Sequence, residues 1–276
     1  MTKIGVFDSG VGGLWILKNL QDELPGYNYI FFGDQGHVPY GSRSIEEIRS
    51  FSEAITNFLI NKGCNVIVIA CNTASAASLK YLREKFPKIL FVGMEPAIKP
   101  AVEITNTKKV GVLATPATFQ GELYNSVVER FAHNVEIFKD TCPGLVKQIE
   151  DGDLDSFETH TILEKALLPM LEKGVDTVVL GCTHYPFAIP QMKEILGENI
   201  NVIDPTGAIV RQVSRVLEEN NLSNKKLLNN SGCINIYTSS DKARMNYVLS
   251  KLFKSCLDIK RVEWNDNLKL IVLDNE

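Results

Sequence analysis

The sequence has no Cys-x-x-Cys pair: its six cysteines, at positions 64, 71, 142, 182, 233 and 256, stand one by one along 276 residues. That spacing supports neither a zinc ribbon nor a thioredoxin-type redox site. A charge excess is missing too, since 29 Lys and Arg against 33 Asp and Glu leave a formal net charge of -4. Neither a nucleic acid nor an anionic membrane surface is therefore an expected partner. Long apolar runs are absent as well. Val66 to Cys71 is far short of the ~20 residues that cross a bilayer, and the start Met1-Thr2-Lys3-Ile4-Gly5-Val6 lacks a signal-peptide core. The expected location is the cytoplasm, where the cysteines are thiols and each is by default a buried small hydrophobe. His37, His133 and His160 stand without partners at metal-ligand spacing, and the run Asp151, Asp153, Asp155 lacks the glycine and terminal glutamate of an EF-hand loop. No metal site is expected.

What the sequence does have is a globular composition, 45% hydrophobic and 22% charged, and an alternation of short apolar runs with longer stretches of helical period. That alternation predicts an α/β fold built on mostly parallel sheet flanked by helices. Candidate strands are Lys3 to Phe7, Tyr29 to Phe32, Val66 to Cys71, Leu90 to Gly93, Val110 to Ala114, Val135 to Phe138, Val178 to Cys182 and Val202 to Asp204, with a further strand at Ile234 to Thr238 followed by a helix. A helix between Gly41 and Gly63 opens on the capping box Ser44-x-x-Glu47 and carries an apolar face at Ile48, Phe51, Ile55, Phe58 and Leu59. Residues 220–231 read as a polar loop.

The two halves repeat. Lys3-Ile4-Gly5-Val6-Phe7 parallels Lys109-Val110-Gly111-Val112-Leu113 at an offset of 106, and the strand into Cys71-Asn72-Thr73 parallels the one into Cys182-Thr183-His184 at an offset of 111. Two similar units would each carry a strand that ends in a cysteine and a small polar residue, which is where open α/β sheets place ligands.

The first strand ends in Asp8-Ser9-Gly10-Val11-Gly12-Gly13. This turn fits either of two roles: it aims backbone N–H groups at an anion, a substrate carboxylate included, or it closes a tight strand-to-helix connection. It is neither a dinucleotide G-x-G-x-x-G nor a P-loop. Cys71 and Cys182 each precede a helical start, which by itself lowers a thiol's pKa from about 8.5. Each has company: His184 is two residues from Cys182, and Asp8 is within reach of Cys71 from the neighbouring strand.

One cysteine with a histidine would fit a Cys/His hydrolase. Two thiols facing across a cleft fit inversion of a stereocentre, one taking a proton from a carbon and the other returning one to its opposite face. Asn72, Thr73, Thr183, His184 and Ser9 are hydrogen-bond donors for a bound carboxylate. A non-catalytic protein that closes on a small ligand is the third reading. No cofactor signal is present.

The segments Asp8 to Leu14, Pro39-Tyr40-Gly41, Ala70 to Ala76 and Gly181 to Pro186 together resemble the glutamate racemases of the cofactor-independent aspartate/glutamate racemase superfamily, over about residues 3 to 210. The resemblance implies a two-domain enzyme with its active site in the inter-domain cleft: a discontinuous first domain at 1–97 and 207–276, and a second at 98–206. It implies that L- and D-glutamate are interconverted without a cofactor, supplying D-glutamate for peptidoglycan, in a homodimer. Cys71 would remove the α-proton of the D-enantiomer and Cys182 that of the L-enantiomer, with Asp8 assisting Cys71, and Glu150 and His184 assisting Cys182. Ser9, Pro39, Tyr40, Gly41, Asn72, Thr73, Thr118 and Thr183 would contact substrate. Aspartate or another amino acid is the rival substrate.

Some positions depart from that pattern. Trp15 stands where a small hydroxyl residue is common, Gly36-His37 replaces a small-residue pair, and the stretch from Cys142 to Glu150 loses its apolar middle. Gln35 and His37 belong to a loop expected at the cleft mouth.

Overall fold

The structure, a computed structural model, describes residues 2–223, 232–252, 257–265 and 270–272. Cys256 and most of the polar 220–231 segment lie outside the described residues. The first half of the chain runs β1 (Lys3–Asp8), α1 (Gly13–Glu23), β2 (Asn28–Gly33), α2 (Ile45–Asn61), β3 (Val66–Ile69), α3 (Asn72–Lys85), β4 (Leu90–Gly93) and α4 (Ile98–Ile104). The middle runs β5 (Lys109–Ala114), α5 (Pro116–Gln120), α6 (Glu122–Phe131), β6 (Glu136–Asp140), α7 (Leu145–Asp151), α8 (Phe157–Glu172), β7 (Thr177–Gly181), α9 (Ile189–Leu196) and β8 (Asn201–Ile203). The chain closes with α10 (Thr206–Glu219), β9 (Ile234–Thr238), α11 (Lys242–Leu252), β10 (Ile259–Trp264) and β11 (Leu270–Val272).

These strands make two sheets. One has the order β11-β10-β9-β2-β1-β3-β4, the other β6-β5-β7-β8. Apart from the antiparallel β10–β11 pair, every pairing is parallel. The sequence repeat has a structural counterpart: β2-β1-β3-β4 and β6-β5-β7-β8 have the same order, so β1 corresponds to β5 and β3 to β7.

Both faces of each sheet are covered, which is why the strands read as continuous apolar runs rather than alternating ones. On the larger sheet, Ile4, Val6, Val66 and Val68 face the core packed by α1, α10 and α11, while Phe7, Ile67 and Ile69 face the one packed by α2 and α3. The capping box of α2 forms in full: Ser44 Oγ accepts from the Glu47 N–H and the Glu47 carboxylate accepts from the Ser44 N–H. The predicted face of α2, from Ile48 to Leu59, is buried. Among the described residues no helix is long and apolar enough to cross a membrane.

Candidate active site

The two cysteines sit one position or two beyond the ends of equivalent strands. Cys71 follows β3 and is the N-cap of α3, where its Sγ accepts the Ala74 N–H at 3.4 Å and lies 3.7 Å from Ser9 Oγ. Cys182 follows β7, and its Sγ lies 3.9 Å from His184 Nδ1. Because the two sheets present the same ends to each other, both thiols line one buried cavity between them.

Of the residues expected at the site, Ser9, Pro39, Tyr40, Gly41, Asn72 and Thr73 line that cavity from the larger sheet's side. Thr183 and His184 line it from the other. Thr118 stands one layer back, in a cluster where Thr73 and Thr115 hydroxyls are 2.8 Å apart and Thr118 Oγ1 is 3.0 Å from Thr115 Oγ1. Two further lining residues, Thr115 and Val146, were not among those expected. The repeat itself held the signal for Thr115, since the 106-residue offset carries Ser9 onto it.

Asp8 and Glu150 are buried behind the cavity wall. Asp8 accepts from the Gly10 N–H at 2.9 Å and from Thr183 Oγ1 at 2.9 Å, so its side-chain partner comes from the opposite half while its charge acts on Cys71. Burial pushes the Asp8 carboxyl above its ordinary range, outweighing the pull of His184 and the two donors. Burial also pushes the Cys71 thiol up to about 12, with the Asp8 charge adding to the shift. The helix start alone predicted the reverse; the Ala74 N–H does favour thiolate, but removal of water outweighs one amide.

Glu150 accepts from both halves. Its Oε1 takes the Val11 N–H at 2.8 Å and lies 2.6 Å from His184 Nε2, while Oε2 takes the Gln35 amide at 3.0 Å. Burial alone would raise this carboxyl, but His184, Val11 and Gln35 together hold it below its usual value. Burial would likewise lower His184, yet its contacts with Cys182 and Glu150 carry the ring well above an ordinary histidine. A charged imidazolium between a thiol and a carboxylate suits proton delivery to sulfur.

The glycine-rich turn is thus an anion site whose anion is internal, the Glu150 carboxylate. A Cβ on Gly10 would overlap that carboxylate, and one on Gly12 would come within 2.6 Å of Thr183 Oγ1. Nearby, Tyr40 follows a cis Val38–Pro39 peptide and donates to Asp34 Oδ2 at 2.6 Å. Trp15 Nε1 donates to Asp204 Oδ2 at 2.9 Å, beside the start of α10. His37 stacks on Phe51 at 4.1 Å and meets Asp34, a structural position. Cys142 and Cys64 are buried thiols pushed up by burial, and Cys233 is exposed.

Asn72 stands out in the cavity wall. It is 3% exposed, and among the described residues neither its amide nitrogen nor its amide oxygen has a hydrogen-bond partner. A buried amide left so is costly unless a ligand completes it. A larger groove of about 520 Å³ lies outside, between α3 and α6, and reaches neither thiol.

Comparison with known proteins points the same way. The family described as Asp/Glu/Hydantoin racemase matches residues 16–213. A glutamate racemase of Roseiflexus sp. (strain RS-1) is 44% identical over 253 residues, covering 92% of this chain and 93% of that protein. The crystal structure of Escherichia coli glutamate racemase in complex with L-glutamate and activator UDP-MurNAc-Ala superposes with a TM-score of 0.82 at 30% identity, covering 99% of each chain. That of Francisella tularensis glutamate racemase in complex with D-glutamate gives 0.80 at 30% identity, covering 94% of this chain and 95% of the other.

Proposed function

Since this chain belongs to the Asp/Glu/hydantoin racemase family and is an amino-acid racemase, we propose that it interconverts L- and D-glutamate by proton transfer between two thiols. The observation that carries this reading is the pair of equivalent strand ends that bring Cys71 and Cys182 onto one cavity. Relatives whose printed names are glutamate racemase, and related structures holding each enantiomer, support glutamate as the substrate.

In the D-to-L direction the Cys71 thiolate takes the α-proton, and the electron pair left on the carbon spreads into the substrate carboxylate. The Cys182 thiol then gives a proton to the opposite face, leaving thiol at 71 and thiolate at 182. The reverse reaction exchanges the two roles, and proton exchange with solvent resets the pair.

An α-proton of pKa on the order of 20 must be removed near pH 7, a gap of ~13 units or ~18 kcal/mol. Raising the thiol's pKa does not shrink this total. A thiolate at about 12 is the stronger base, but forming it costs correspondingly more. The reduction comes from interactions made with the bound substrate: its ammonium beside the thiolate, with the Asp8 charge behind the wall, and donors from Asn72, Thr73 and Ser9 around the carboxylate where charge develops. The unpartnered Asn72 amide is suited to that task.

The cavity is about 10 Å³, room for about one water molecule, so an amino acid enters only as the two halves separate. In this reading the domains are 1–97 with 207–276, and 98–206. Support comes from β1–β4 and β9–β11 sharing one sheet, β5–β8 sharing the other, and α10 packing on α1 and β4. A cytoplasmic homodimer supplying D-glutamate for peptidoglycan completes the proposal.

The test is a circular-dichroism assay of L-glutamate with the purified chain and no added cofactor. Loss of signal to zero, with L-aspartate turned over far more slowly, is the expected result. A stable L-glutamate signal, or faster loss with aspartate, would overturn it.

A further inference from the structure

We infer that Gln35 is a positioning residue for the Cys182 half of the reaction, fixed in place by Thr238 of the C-terminal segment; the inference rests on the racemase reading above. Gln35 is 5% exposed and sits just beyond β2, in the connection that leads to Tyr40. Its amide bridges two partners far apart in sequence: Oε1 accepts from Thr238 Oγ1 at 2.9 Å, and Nε2 donates to Glu150 Oε2 at 3.0 Å. From Glu150 the chain of contacts continues to His184 Nε2 at 2.6 Å, and from His184 Nδ1 to Cys182 Sγ at 3.9 Å.

The direction of the amide is set by its neighbours. The Glu150 carboxylate, held below its usual value, only accepts, so the Gln35 NH2 group is the end that faces it. The amide oxygen then faces Thr238, whose hydroxyl donates to it while accepting the Ser240 N–H at 3.3 Å. A rotated amide would oppose two oxygens at Glu150 and take away the oxygen that accepts the Thr238 proton. Thr238, at the end of β9, therefore holds the oxygen end of the amide whose NH2 group meets Glu150.

The position of these residues gives the bridge its role. Val11 and Gln35 reach Glu150 from the larger sheet's side, whereas Glu150, His184 and Cys182 belong to the smaller sheet's side. Both oxygens of Glu150 are pinned, and thus His184 is aimed at sulfur, only when the two sides are together. The C-terminal segment braces the same helix from outside: Arg244 pairs with Asp151 at 2.9 Å, and the Tyr247 ring lies over Gly152. Second-layer hydrogen bonds of this kind hold a reacting group in the geometry its proton transfer needs.

A buried glutamine that merely satisfied the interface would change stability or overall rate, with both enantiomers affected alike. Positioning of one base predicts an asymmetry. If only the step at Cys182 slows, removal of the α-proton from L-glutamate becomes more fully rate-limiting. From D-glutamate the slow step becomes delivery of a proton already exchanged onto Cys182, so a label on the substrate carbon is felt only through the equilibrium that precedes it.

The experiment uses full-length Gln35→Leu and Thr238→Val, with kcat and KM in both directions and rates on [2-2H]-L- and [2-2H]-D-glutamate. Gln35→Leu is expected to lower kcat about 10- to 100-fold with KM changed less than about threefold. Its isotope effect should rise from L-glutamate and fall below the wild-type value from D-glutamate. Thr238→Val should move both in the same direction by less. An unchanged kcat, or a fall with isotope effects balanced between the enantiomers, overturns the inference while leaving the racemase reading intact. If Gln35→Leu fails to fold by circular dichroism, Thr238→Val decides by the same criterion. A wild-type chain that does not racemise glutamate would overturn the functional reading instead.

Discussion

Thr183 Oγ1 donates a 2.9 Å hydrogen bond to Asp8 Oδ2, joining the end of β7 to the end of β1 across 175 positions of sequence. The motif that carries one thiol therefore holds the carboxylate that acts on the other. The two halves of the site are built from each other's side chains, and neither is complete while they are apart.

Asp8 is fully buried, and burial raises its carboxyl above the ordinary value of 3.8. A raised acid contributes stability that is full below its unfolded pKa and lost as pH rises through its folded pKa. Asp8→Asn should therefore stabilise the chain at neutral pH, by about 2–4 °C in Tm, while lowering kcat/KM by at least ~10-fold. The gain should shrink as the pH falls toward 4. Thermal melts at pH 4 to 7.5 check this; a lower Tm at neutral pH, or a gain independent of pH, would contradict it.

Gly10 does not adopt a left-handed backbone; what it supplies is room for the Glu150 carboxylate. Gly10→Ala should leave a folded chain whose Val11 to Glu150 hydrogen bond is broken. A displacement of that order costs ~10²-fold in rate. Normal turnover in a folded Gly10→Ala variant would mean that this contact is dispensable.

The Glu150–His184 pair has the opposite pH signature to Asp8. Glu150 is lowered from 4.5, so its contribution is present above pH 4.5 and lost as the pH falls through the folded value. His184 is raised well above 6.5, so its contribution is full below 6.5 and lost only as the pH climbs through its elevated value. The stability gap between wild type and His184→Gln should thus be widest between about pH 4.5 and 6.5 and narrow on both sides. Urea midpoints across pH 3.5 to 9 measure it; a gap that grows steadily with pH contradicts the pairing.

What the sequence revealed and what it withheld divide along physical lines. The Ser44 to Glu47 capping box and the face of α2 are local, so three-residue spacing and helical period were enough to find them. The parallel strands and their repeat were legible because both sheet faces are buried. β10 is hidden because Lys260, Arg261 and Glu263 interrupt its apolar residues, and β11 because it is only three residues long. Gln35 as a partner of Glu150 depends on packing segments 115 residues apart, and no spacing rule encodes that. The upward shift at Cys71 is hidden for a related reason: the favourable amide is three residues away, whereas the burial that outweighs it is tertiary.

If one bound carbon is served by two thiols on opposite faces, its hydrogen exchanges with solvent, and isotope incorporation reads that exchange. In D2O, wild-type protein given L-glutamate should form D-glutamate that carries deuterium at the α-carbon from the earliest turnover, and Cys71→Ala and Cys182→Ala should each abolish racemisation. Product that retains its α-hydrogen, or full racemisation by either variant, would contradict the account.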